Sequence, residues 1–97
     1  MIADQLDEEL TREMLDLLIL ELPDHKQDLC AAWQTGDYEA MGRLVHKLHG
    51  GALYCNVPGL VDHLQVMKAS LAGRKAETIH QSLRDTLAAI DEMLNRD

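Results

Sequence analysis

Five histidines and two cysteines are the groups in this chain best suited to nucleophilic, acid–base or metal chemistry. His46 stands apart from the rest by its neighbours. At helical spacing its i−4 and i+4 positions are Gly42 and Gly50, so no side chain flanks the imidazole along the helix. A glycine inside a helix costs about 1 kcal/mol relative to alanine, and Gly50-Gly51 repeats that cost. Tight helix packing is the better account of Gly51. Close approach of a partner is the better account of Gly42 and Gly50, whose face is solvent-directed. No serine–base or Cys–His pair is suggested beside His46, so a hydrolytic triad fits poorly. An unhindered imidazole suits a different task, accepting a phosphoryl group carried in by a partner. That chemistry needs a free ring nitrogen and donors for the phosphoryl oxygens. His49, at i+3, could donate such a hydrogen bond, as could Lys47 or Arg43.

Helical geometry sets the directions. At about 100° per residue, with Met41 as zero, Leu44, Val45, Leu48 and Ala52 fall within about 60° of it and form the buried side. His46 falls near 140° on this scale and points to solvent, and His49 near 80°, at the edge of the core. From Ala40 to Val61 there is no aspartate or glutamate, although the chain has 17 acids. An acidic protein therefore carries one neutral-to-positive strip, with Arg43, His46, Lys47 and His49 in it. The next helix returns antiparallel after a bend near Asn56. That brings residues Gln65 and Lys68 level with His46, where they could orient the ring or touch the phosphoryl group. Exposed apolar residues beside His46 would complete a docking face, with Leu53 the first candidate and Ile2 and Leu6 possible additions.

The elements that must hold this strip read as helices throughout. Leu10, Met14, Leu17 and Leu18 suggest a first helix from about Glu9 to Glu21, with a short extra turn at Ile2–Leu6. Pro23 suits the first turn of a second helix, which carries Leu29, Cys30 and Trp33. Gly36 ends it as a left-handed cap and Asp37 caps the helix of His46, which runs to about Cys55. Asn56-Val57-Pro58 reads as stop, cap and first-turn proline. Leu60, Leu64, Met67 and Leu71 line a further helix that Gly73 terminates. The last helix, about Lys75 to Asn95, uses Ile79, Leu83, Leu87, Ile90 and Leu94. Short connections make successive helices antiparallel. The expected fold is an all-α, up-down antiparallel four-helix bundle with a short extra N-terminal helix, one domain over residues 1–97.

Composition agrees and excludes other classes. With 97 residues the chain has room for one core. Phenylalanine is absent and there are 2 prolines and 6 glycines, which disfavours strand-rich folds. A net charge of −8 argues against nucleic acid and against anionic membrane surfaces as partners. No apolar run approaches a membrane span, and the N-terminus lacks the pattern of a signal peptide. Cys30 and Cys55, far apart, read as small apolar residues in a reducing cytoplasm. His25, His63 and His80 read as surface or boundary residues, and Trp33 as core. A metal site on His46, His49 and His63 is an alternative without a recognised ligand spacing, so no metal is expected. A helical interaction module without phosphotransfer is the other alternative. Neither G-x-G-x-x-G nor G-x-x-x-x-G-K occurs, so ATP-dependent autophosphorylation is not expected.

The run Leu44-Val45-His46-Lys47-Leu48-His49-Gly50-Gly51, followed by Val57-Pro58 and Leu60, resembles the histidine-containing phosphotransfer (Hpt) domain. The usual core of that family reads His-x-Leu-Lys-Gly. The His-Lys-Leu-His-Gly form seen here is similar to the C-terminal Hpt domain of BarA/GacS-type hybrid sensor kinases. The resemblance extends weakly from the Glu21-Leu22-Pro23 segment through Leu71. It implies that His46 is the phosphorylated residue and that Gly50 leaves room for the partner. His49 then stands where the family has a lysine, which makes the charge there sensitive to pH near neutrality. Lys68 stands where many members have a glutamine that orients the histidine, and Gln65 is the substitute candidate for that role. The resemblance also implies response-regulator receiver domains as partners, with a hybrid sensor kinase as a further candidate, Mg²⁺ supplied by the receiver and no cofactor on this chain. A monomer is expected, because the family includes monomers and no coiled-coil seam speaks against one.

Overall fold

The computed structural model describes residues 2–55 and 57–95 and, within the first helix, the side chains from Glu9 onward except that of Thr11. Four helices follow one another: α1 Ile2–Thr35, α2 Tyr38–Tyr54, α3 Pro58–Gly73 and α4 Ala76–Leu94. Each packs against the next, and α4 returns against α1, which closes an antiparallel four-helix bundle. The shared core comes from Leu22 and Leu29 of α1, Met41, Val45 and Leu48 of α2, Leu60, Leu64 and Met67 of α3, and Ile79 and Ile90 of α4.

The helix ends of α2 follow the sequence. Gly36 takes φ 69°, and the Asp37 carboxylate accepts from the Ala40 amide at 3.0 Å. Pro58 opens α3 in its first turn. At the other end of α3 the expected cap is displaced by one residue. Gly73 remains helical, and Arg74 takes the left-handed conformation at φ 55°. Its amide closes the turn onto Ser70 and Leu71 carbonyls, both at 3.2 Å.

The larger departure is at Pro23. The expected break between two helices is absent, and α1 runs through the proline for 34 residues. The reason lies in the stripe on either side of it. Leu15, Leu18, Leu22, His25, Leu29 and Ala32 alternate at spacings of three and four, in phase across Pro23. Leu18, Leu22, His25, Leu29 and Ala32 are buried, while Pro23 is exposed. Core contacts on one stripe therefore outweigh the missing backbone donor and the ring's clash with the preceding turn. His25, read from the sequence as a surface or boundary residue, is buried for the same reason, with Nε2 3.4 Å from Glu21 Oε2. Since α1 is about twice as long as its neighbours, its N-terminal part projects past them. Leu10, toward that end, is exposed, while Leu17, next to the buried Leu18, is exposed because it lies off the buried stripe.

Pro23→Ala should stabilise the domain. The proline penalty inside a helix is about 3 kcal/mol, and the unfolded-chain entropy that proline suppresses returns about 1 kcal/mol of it. A net gain of roughly 2 kcal/mol corresponds to a rise in Tm of about 10 °C for a domain of this size. Thermal unfolding followed by circular dichroism reads this directly. An unchanged Tm would mean that the helix gains nothing from a continuous ladder at this point.

Candidate functional site

The strip singled out by the sequence lies on α2, whose buried stripe is Met41, Val45, Leu48 and Ala52. His46 is on the opposite side and exposed. A side chain added at Gly42 or Gly50 would meet nothing within 4 Å. One added at Gly51 would stand 3.5 Å from Leu18 Cδ1. The two kinds of glycine are thus separated as expected: Gly51 faces α1, and Gly42 and Gly50 open the surface around the imidazole. Leu53, two turns beyond His46, is 56 % exposed, and Tyr54 beside it is exposed as well. The Ile2 and Leu6 side chains, named as further docking candidates, lie outside the described residues.

The cations separate into two groups. Arg43 and Lys47 are exposed and line an open groove between α1 and α2, together with Asp28 and Asp37. Lys68 instead reaches over from α3 to the other flank of the histidine pair. Its Nζ donates to Nδ1 of His49 at 3.1 Å. Gln65, nearer the α2–α3 turn, is exposed and makes no hydrogen bond to either histidine among the described residues. Of the two α3 candidates, Lys68 is the one that α3 brings to the pair. This contact was not anticipated: the sequence placed Lys68 opposite His46 but gave no reason for it to engage His49.

The contact fixes the state of His49. An ammonium only donates, so Nδ1 is the acceptor and the ring proton sits on Nε2. That Nε2 is buried and has no hydrogen-bond partner among the described residues. Burial of the ring, then the Lys68 charge, then His46 hold the His49 pKa below the ordinary histidine value. Relative to the expectation of a charge sensitive to pH near neutrality, these surroundings favour the neutral ring and move its titration toward lower pH. Its contribution to stability follows by linkage. As pH falls through about 6.5 the unfolded chain takes up a proton that the folded one resists, so stability present above that pH is lost on acidification. In urea denaturation at pH 7.5 and 5.5, His49→Gln should lose less stability on acidification than the wild type. An equal loss in both would remove His49 as the source.

The remaining polar groups read simply. His80 is exposed and stacks on Trp33 with centroids 5.0 Å apart, and Trp33 is half-buried rather than fully core. Cys55 is buried and its thiol pKa is pushed up by burial, while Cys30 is only half-buried. Among the described residues no group of three His, Cys, Asp or Glu is placed to hold a metal ion.

Comparison with known proteins decides the family. The family model for the Hpt domain matches residues 13–96, most of the chain. The chain belongs to the Hpt domain family. Among curated proteins this Hpt domain is similar to the sensor histidine kinase GacS of Pseudomonas protegens, 31% identical over 86 residues, 88% of this chain and 8% of GacS. It is similar also to the signal transduction histidine-protein kinase BarA of Shigella flexneri and of Escherichia coli K12. Each is 32% identical over 88 residues, 90% of this chain and 9% of BarA. The Hpt domain thus spans less than a tenth of the length of these relatives. No solved structure matches it. Membership of the Hpt family supports a histidine phosphotransfer function in two-component signalling. Among the described residues no helix is long and apolar enough to cross a membrane.

Proposed function

We propose that His46 accepts a phosphoryl group from the aspartate of one receiver domain and passes it to the aspartate of another. The observation that carries this reading is the open ground around an exposed imidazole, with Gly42 and Gly50 meeting nothing within 4 Å. A receiver must bring its phospho-aspartate within bonding reach of a ring nitrogen, and only a surface without flanking side chains allows that. Arg43, Lys47 and His49 share α2 with His46, Lys68 reaches His49 from α3, and Leu53 is exposed two turns beyond. They carry positive and polar groups toward an acidic receiver pocket. Mg²⁺ offsets charge on the phosphoryl oxygens and comes with the receiver, so this chain needs no cofactor of its own. A monomer in the cytoplasm, either free or as the cytoplasmic part of a membrane-bound hybrid kinase, completes the reading.

The test is transfer from a phosphorylated, radiolabelled receiver to the wild-type domain. The label should appear on the domain, be labile in acid and stable in base, and map by mass spectrometry to the peptide that contains His46. Label that is stable in acid, or none from any of a panel of receivers, would overturn the proposal.

A further inference from the structure

We propose that Lys68 is the cation that contacts the phosphoryl group, and that His49 is a positioning residue holding Lys68 in place. This rests on the reading of His46 as acceptor. Three observations support it. Lys68 crosses from α3 to donate to His49 Nδ1 at 3.1 Å. The other nitrogen of that ring is enclosed and unpartnered. The two imidazoles are one turn apart on α2, close enough for His46 to bear on the charge of His49.

The arrangement leaves His49 little to offer a phosphoryl oxygen directly. Its Nδ1 lone pair is taken by Lys68, and an oxygen brought there would meet a second acceptor. Its Nε2–H is shut away from solvent. Lys68 is in the opposite situation. One of its three N–H bonds is used on His49, the other two have no partner among the described residues, and the residue is half-buried. An exposed lysine must give up rotamer freedom to engage a ligand. Lys68 is already held, which is the preorganisation that stabilises developing charge. On the other flank, Lys47 and Arg43 are exposed along the groove that Asp28 and Asp37 also line, and no hydrogen bond holds either of them among the described residues.

In the transfer itself, the unprotonated ring nitrogen of His46 forms the N–P bond as the aspartyl O–P bond breaks. The electron pair leaves with the carboxylate. Lys68 moves no proton and donates hydrogen bonds to the phosphoryl oxygens throughout. His49 touches neither the phosphoryl group nor the receiver aspartate.

Single-turnover transfer at saturating phosphorylated receiver tests this, with wild type, Lys68→Met, Lys68→Arg, His49→Leu and His49→Gln. Lys68→Met should slow the transfer step by about tenfold or more, and Lys68→Arg should restore most of it. His49→Gln, whose amide oxygen can accept from Lys68, should stay faster than His49→Leu. In ¹⁵N spectra of the unphosphorylated domain, the His49 Nδ1 resonance should be that of an acceptor and should move in Lys68→Met. Equal slowing in Lys68→Met and Lys68→Arg, or wild-type speed in Lys68→Met or His49→Leu, would overturn the inference. So would a His49 Nδ1 resonance unchanged by Lys68→Met. Each of these leaves the role of His46 intact, since failure of that role appears instead as label on His46→Gln.

Discussion

His46→Gln will take no phosphoryl group from any receiver that labels the wild type, and it will fold as the wild type does. The folding half of this follows from where His46 sits. It is exposed, faces away from the buried stripe of α2, and makes no side-chain hydrogen bond among the described residues. Surface substitutions of this kind fall within about 0.5 kcal/mol, and glutamine is a good helix former. The chemical half follows from the amide nitrogen, whose lone pair is delocalised into the carbonyl. Loss of the nucleophile from a site that acts as a unit costs on the order of a thousandfold or far more. Receiver binding, measured by titration calorimetry, should change by no more than a few fold, because the docking face is otherwise untouched. Equal labelling of His46→Gln and wild type would move the acceptor elsewhere on the chain.

The fold class was legible because the buried positions of α2, α3 and α4 recur at helical spacing. Asp37, Gly36 and Pro58 fixed their ends through local hydrogen bonding and dihedral preference, which sequence carries directly. Pro23 was misread because the local rule and the tertiary one disagree there. The correcting signal was present, as the three-and-four spacing from Leu15 to Ala32 continues through the proline. His25 at one of its buried positions hid it. The exposure of Leu17 follows from its place off the stripe that carries Leu15, Leu18 and Leu22, which the misplaced helix break concealed.

The candidate site divides in the same way. Everything set by α2 alone was legible: the exposure of His46, the open glycines, the solvent-facing Leu53. What depends on the α2–α3 register was only half legible. Counting residues from the bend brought Lys68 and Gln65 into the right zone but could not choose between them. Nor could it show that Lys68 would bond to His49, because a lysine side chain spans several registers. The direction of the His49 pKa shift was out of reach of the sequence for the same reason. Its depression comes from burial between two helices and from a charge on the second one.

Gly50→Leu will slow phosphotransfer by about a hundredfold while raising the stability of the domain. These opposite signs make the substitution informative. Stability rises because leucine is favoured over glycine inside a helix by nearly 1 kcal/mol, which lifts Tm by several degrees. Nothing within 4 Å of the new Cβ position would be displaced, so no packing cost offsets the gain. Transfer falls because a helical side chain leans toward the N-terminus and covers the preceding turn. At position 50 that turn is the one bearing His46. A leucine there lifts the receiver off the surface beside the ring, and a displacement of about 1 Å in the reacting groups is worth about a hundredfold in rate. Gly50→Ala adds only a methyl group and should gain similar stability with a much smaller loss of transfer. Stopped-flow transfer kinetics and thermal melts on the same three proteins suffice. Leucine and alanine variants that both transfer at the wild-type rate would show that no partner approaches this face. A leucine variant that melts lower than wild type would show that the ground around His46 is not open.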